Sequence, residues 1–195
     1  MGRLRTPEAL VRRYQTRDPF VIADGEGIPI HFLNHPESGL PGLTCLVANR
    51  PSIFINQAFF DIQRKEDPEY TEDTMEDDVR QVAAHELGHA IKHRRALRRA
   101  PIREYEIFNV RSQMEVEANT FAAGILIDPD ELMECVSEKR GLLEMARILH
   151  VNINLLIYRF IHMDADELGG IRLEDMLPRG NFMGRIHGAK SSGWD

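Results

Sequence analysis

The apolar positions of the chain change period twice, from short helical turns to alternation and back to long helical stripes. Leu10, Val11 and Tyr14 recur at helical spacing behind Thr6, Pro7 and Glu8, a cap followed by a first-turn proline, which predicts a short helix ending near Arg17. A second helical turn is expected over residues 19–23, before Asp24-Gly25-Glu26-Gly27 breaks it. Ile28, Ile30 and Phe32 then alternate with Pro29, His31 and Leu33, the period of a half-buried strand. A turn cluster, NHPESGLPG, leads into LTCLVA (residues 43–48) and SIFIN (residues 52–56), two strands separated by Asn49, Arg50 and Pro51. Together these predict a small, mainly antiparallel three-stranded sheet.

Beyond Phe60 an acidic segment reads as a loop, closed by a helix cap at Thr74 with Asp77 as its partner. Val79, Val82, Ala83, Leu87, Ala90 and Ile91 predict a helix over residues 75–97 that buries one face, with Pro101 ending the turn after it. Met114, Ala118, Phe121, Ala122 and Ile125 mark another over residues 113–127. Asp128, Pro129 and Glu131 then form a cap, a first-turn proline and a third-position glutamate, so a new helix starts with little linker. Two shorter helices, over residues 142–149 and 155–161, flank Val151-Asn152. No repeat is evident. The expected architecture is α+β, one domain over residues 1–168 followed by a flexible, Gly-rich tail over 169–195.

Composition narrows the function classes. Hydrophobic residues make up 43% of the 195-residue chain and charged residues 28%, which is ordinary for a globular protein with one core. No apolar run has the length of a membrane span and the N-terminus lacks a signal-peptide core, so a cytoplasmic location is expected. Cys45 and Cys135 are too few for a disulfide framework and are expected to be small, partly buried apolar residues. The net charge of −7 argues against a protein that coats nucleic acid. Acidic residues 65–78 and the arginines 94, 95, 98, 99 and 103 are expected to be solvated faces, with partner docking as the alternative.

Chemistry concentrates in HELGHAIKH, residues 85–93. A helix turns about 100° per residue, so His85 and His89 share a side, roughly 6 Å apart along the axis, and can hold one metal ion. Glu86 borders that face and is placed to take a proton from water activated by the metal. Zinc in a catalytic site wants a third protein ligand. His93 lies about 12 Å along the axis from His85, too far to join the pair, and is expected to be a helix-end histidine near the carbonyl dipole. Glu115 is the better candidate. Asn119, one turn on, is placed to hydrogen-bond a ligating histidine, Glu117 is the reserve ligand, and the competing role for Glu115 is a capping box with Ser112.

HELGH followed some thirty residues on by E-x-E-A-N-x-F-A, then an apolar stretch and a proline, resembles the ImmA/IrrE family of metallo-endopeptidases. The likeness extends over about residues 17–163. It implies a gluzincin-like, zincin-type helical core in which an HExxH helix is followed by a ligand helix. It also implies His85, His89 and Glu115 as zinc ligands, Glu86 as general base, and a helix-turn-helix repressor as the protein substrate. Leu126-Ile127-Asp128-Pro129 departs from the family's leucine-leucine-methionine-proline without touching a ligand, and no room is expected after Met163 for the sensor domain of some members. No oxyanion donor is singled out by the sequence; His150, Tyr158, Arg159 and His187 are the candidates. Two other functions compete. MARILHVNINLLIYRF passes for a helix-turn-helix DNA reader, although its second helix offers few polar groups to a groove. The remaining function is that of a metal-bound but catalytically idle partner that sequesters a repressor.

Overall fold

The computed structural model describes residues 5–98 and 113–163. Their order is α1 (Pro7–Tyr14), α2 (Pro19–Gly25), β1 (Ile30–Leu33), β2 (Gly42–Val47), β3 (Arg50–Asn56), α3 (Gln57–Glu66), α4 (Glu72–Lys92), α5 (Arg94–Leu97), α6 (Gln113–Leu126), α7 (Pro129–Ser137), α8 (Leu142–Ile148) and α9 (Ile153–His162). The fold is α+β, and most helix starts carry local signals. Thr6, Asp18, Asp128 and Asn152 each accept a backbone N–H from the first turn that follows. Helix α1 stops short of Arg17 because Gln15 takes a left-handed φ of 53°.

The sheet is mixed rather than mainly antiparallel. Strand order is β1-β3-β2, with β1 parallel to β3 from Ile30↔Ile53 to Leu33↔Asn56 and β2 antiparallel to it from Gly42↔Ile55 to Val47↔Arg50. The connection after β1 crosses the end of β3 before the chain turns back. It is held there by Asn56, whose Nδ2 donates to the carbonyls of His35, Ser38 and Leu40 at 3.0, 3.3 and 3.1 Å while its Oδ1 accepts from the His35 amide. A hairpin of only two residues, Ala48 and Asn49 with φ of 50° and 64°, then lays β3 between the other two strands. Arg50 and Pro51 therefore belong to the strand and not to its turn. Pro51 is tolerated because β1 pairs only from Ile53 onward, leaving that side of β3 without a partner for the missing N–H. As an edge strand, β1 buries less than its alternation predicts: Phe32 is 55% exposed and stacks on Phe20.

Two helix boundaries also differ from expectation. Residues 57–66 form α3, which buries Ala58 and Phe60, so the acidic loop shrinks to residues 67–71. Helix α4 is capped by Thr71, which accepts the Thr74 amide at 3.2 Å, and ends at Lys92. The His85/His89 pair, at the 14th and 18th of its 21 residues, therefore lies toward the C-terminal end and not at mid-helix.

Helix α4 is the central layer. One side packs on β2 and β3, another on α6, and α1 and α9 cover the far side of α6. This explains why α4 is buried almost all round between Ala83 and Ala90 instead of along one stripe. Ile53, Ile55, Leu87, Phe121, Ile125 and Leu156 fill the core between these layers. Helix α9 turns Leu155, Leu156 and Phe160 into this core. From the α1–α2 linker, Arg17 pairs with Asp128 at 2.9 Å and donates to the carbonyls of Gly124, Ile125 and Ile127, closing the C-terminal end of α6. Among the described residues no helix is long and apolar enough to cross a membrane.

Gly88 sets the spacing of α4 and α6: a Cβ there would lie 3.1 Å from both the Cα and the carbonyl oxygen of Ala118 and 3.3 Å from Phe121 Cβ. Helix propensity alone would favour alanine by roughly 0.5–1 kcal/mol. Because the obstacle is backbone, Gly88→Ala is expected to be destabilising, by about 1–3 kcal/mol in urea unfolding. An unchanged or raised midpoint would show that the two helices can separate freely.

Candidate metal centre

The last turns of α4 and the first turns of α6 face each other across the Gly88 contact, and three side chains meet there. His85 Nε2 and His89 Nε2 are 3.0 Å apart. Glu115 closes the triangle, with Oε2 3.2 Å from His85 Nε2 and Oε1 3.2 Å from His89 Nε2. Two ligands held about 2.05 Å from a tetrahedral ion would be separated by roughly 3.3 Å, so the spacing of these donors is compatible with one small divalent cation. The chemistry of the set fits as well, since two imidazoles and a carboxylate are the usual donors to catalytic zinc. His89 and Glu115 are buried, whereas the His85 side chain is 23% exposed, so solvent reaches the cluster on its side.

Both imidazoles are held from behind. Asn119 Oδ1 lies 2.9 Å from His85 Nδ1. A carbonyl oxygen only accepts, so His85 carries its proton on Nδ1 and turns the Nε2 lone pair inward. On the other imidazole, His89 Nδ1 is 2.9 Å from His93 Nδ1. His93 is indeed the C-terminal residue of the helix, but it is buried and bridges to Glu117, with Nε2 3.2 Å from Oε2. Glu117 is thus turned to His93 and away from the cluster. Burial lowers the pKa of His93, and the neighbouring charge on His89 lowers it further.

Glu86 leaves α4 on the side of the sheet. Thr44 Oγ1, on β2, donates to Glu86 Oε2 at 2.6 Å and also lies 3.0 Å from the Glu86 carbonyl. A Cβ at Gly42 would come within 2.6 Å of Val82 Cγ1 and 3.1 Å of Glu86 Oε1, so the absence of a side chain there makes space for the carboxylate. Both groups of the Thr44/Glu86 pair are buried.

Electrostatics inside the triangle is dominated by unlike charges at contact distance. Burial raises the pKa of the Glu115 carboxyl, but the hydrogen bonds from His85 and then His89 outweigh it and hold it at about 2. Burial opposes protonation of His85, yet the Glu115 hydrogen bond and the charges of Glu86 and Glu115 leave its pKa raised. Three electron-rich atoms in mutual contact demand a positive charge, supplied by protons or by a metal.

A family model described as the IrrE N-terminal-like domain, Peptidase_M78, matches residues 70–160. Over this segment the chain is similar to the ImmA/IrrE type of metallopeptidase. The segment takes in HELGH, Glu115 and Asn119, while the sheet and α1 to α3 precede it. No curated protein and no solved structure matches the chain.

Within this segment and its flanking sheet, the structure brings together His85, His89 and Glu115 and sets Asn119 behind His85, while Glu86, next in sequence to His85, turns to Thr44 on the sheet side. Of the oxyanion candidates, His150 is an exposed residue paired with Asp77, and Tyr158 and Arg159 line a cavity of about 300 Å³ with Glu8, Lys92 and Glu117. Cys45 is half-buried and Cys135 buried, as small apolar residues would be, and Arg94, Arg95 and Arg98 are exposed. Ser112 and its capping box, Arg99, Pro101, Arg103, His187 and the tail lie outside the described residues. Sequence reasoning missed Thr44, which alternation marks only as a strand residue far from the motif. It also missed the bridging role of His93, for which the spacing of four from His89 was a usable signal.

A divalent cation such as zinc, bound here, would compete with protons for these nitrogens. With the His85 pKa raised above 6.5, affinity is expected to start falling on acidification at a higher pH than for an ordinary histidine, while Glu115 stays ionised. Chelator competition between about pH 8 and about pH 5.5 measures this. An affinity that holds steady across that range would contradict the assignment. Glu115→Gln is expected to cost about 100-fold or more in zinc affinity, beyond the 10–100-fold typical of groups that only support a ligand.

Proposed function

We propose that the protein is a zinc-dependent endopeptidase of gluzincin type that makes a regulatory cut in a protein substrate. The observation that carries this is the triangle of His85, His89 and Glu115, with a carboxylate, Glu86, clamped at its edge. The family match supports peptidase activity, and the resemblance of the chain to ImmA/IrrE proteins points to a helix-turn-helix repressor as the substrate.

His85, His89 and Glu115 would hold the zinc ion, which when bound would supply Lewis acidity to polarise the scissile carbonyl and acidify water. The remaining work falls to the chain. Glu86 accepts the proton of the attacking water and returns it to the leaving amine nitrogen as the peptide C–N bond breaks. Its Oε2 is held by Thr44, which leaves Oε1 for proton transfer. Asn119 holds the His85 ring, so a water entering from the exposed side of His85 meets an oriented base and donor set.

Glu86→Gln preserves shape and hydrogen bonding but cannot take a proton. It is expected to keep zinc affinity within a few-fold and to lower cleavage of a candidate repressor by about 10²–10⁴-fold, followed by gel electrophoresis of the products. Cleavage at the parent rate would remove Glu86 from the mechanism. The same mixture with a chelator should show no cut. Stable association with a repressor, but no product with or without chelator, would replace the peptidase by a sequestering partner.

A further inference from the structure

Behind His89 lies a chain of polar groups that the hydrolytic scheme leaves unused. It runs from Gln113 Nε2, which donates to Glu117 Oε1 at 2.8 Å, through Glu117 Oε2 to His93 Nε2 at 3.2 Å, and from His93 Nδ1 to His89 Nδ1 at 2.9 Å. We propose that Glu117 and His93 are positioning residues that lock the His89 imidazole in the tautomer whose Nε2 lone pair faces Glu115.

The argument is one of donors and acceptors. Two Nδ1 atoms at 2.9 Å hydrogen-bond only if one carries the proton and the other a lone pair, and taken alone the pair has no preference. Glu117 removes the ambiguity. An ionised carboxylate accepts and never donates, so it requires the proton of His93 on Nε2. The Nδ1 of a neutral His93 is then bare and accepts from His89 Nδ1–H, which leaves His89 Nε2 bare toward His85 and Glu115. In the opposite pattern His93 donates from Nδ1, its bare Nε2 meets the Glu117 carboxylate as one acceptor facing another, and the His89 proton sits on Nε2 where a metal must bind. His85 needs no such relay, because a single amide oxygen, that of Asn119, sets its tautomer directly. The geometry also suits a fixed support. His93 is buried, its side chain 6% exposed, while the Glu117 side chain is 41% exposed and keeps its charge hydrated.

The proposal rests on the assignment of His85, His89 and Glu115 as the metal ligands, and the test separates the two. The variants are Glu117→Gln, whose amide satisfies either tautomer of His93, and His93→Leu, which removes the acceptor, in the full chain. Zinc affinity is read by chelator competition, and the His89 tautomer in the metal-free protein by ¹⁵N imidazole shifts. Both variants are expected to bind zinc about 10–100-fold more weakly than the parent, and the Nδ1–H form of His89 is expected to lose its dominance in Glu117→Gln. If His93→Leu fails to fold, the half-exposed Glu117→Gln decides alone. Affinity within about twofold of the parent, with His89 still held as the Nδ1–H form in Glu117→Gln, would overturn the lock. A parent that binds no zinc would overturn the metal assignment, and the tautomer shift in Glu117→Gln would still decide for or against the lock.

Discussion

At Gly88 the backbone of α4 runs so close to Ala118 that even one methyl group has to push the neighbouring helix. That contact fixes the separation of the two helices whose side chains build the site. His85 and His89 flank it on α4, three residues before it and one after, and Glu115 and Asn119 flank Ala118 on α6 in the same way. Because ligand distances near 2 Å tolerate errors of only a few tenths of an ångström, the helix spacing is a chemical requirement as much as a packing one. The sandwiching of α4 between sheet and α6 supplies the rigidity. The residues around the motif are buried on nearly every side, and none of them moves without displacing a neighbour.

The sheet supplies Ile53 and Ile55 to the core and also orients one carboxylate. Strand β2 sits on α4 with Gly42 and Thr44 facing it, one leaving space for Glu86 and the other donating to it. A buried carboxylate without a donor would be costly, and one free to rotate would have no fixed direction. Thr44 answers both. The mixed topology follows from the same arrangement: β3, the most buried strand, takes the centre, and β2 is left at the edge where its side chains reach the helix.

Support behind the two imidazoles is unequal. His85, partly exposed, rests on a neutral amide from the next helix, whereas the buried His89 rests on a second imidazole from its own helix end. The break in α4 after Lys92 matters here, since His93 leaves helical geometry with ψ of 21° and turns its ring back toward His89. Raised affinity for protons at His85 and an almost permanently ionised Glu115 are what two imidazoles and a carboxylate produce when they converge in a poorly hydrated space.

What the sequence by itself determined was whatever depends on spacing along one chain. His85 and His89 share a helix face because of the helical repeat, Thr6, Asp18, Asp128 and Asn152 start helices because their side chains reach N–H groups two or three residues on, and Asp128-Pro129 separates α6 from α7 at almost the expected place. Glu115 and Asn119 were legible for the same reason, as an i, i+4 pair on the following helix. Tertiary structure alone decided the rest. Alternation in residues 28–56 identifies strands but carries no information on their neighbours, so the parallel pairing of β1 with β3 emerged only from the crossing loop held by Asn56. The start of α4 at Thr71 rather than Thr74 was a choice between two caps one turn apart. The partnership of Thr44 with Glu86 joins residues 42 positions apart, and that of Glu117 with His93 joins residues 24 apart, through contacts that exist only once α4 is packed between sheet and α6. Local periodicity thus marks which residues can face a common point, but only packing determines which atoms arrive there and what stands behind them.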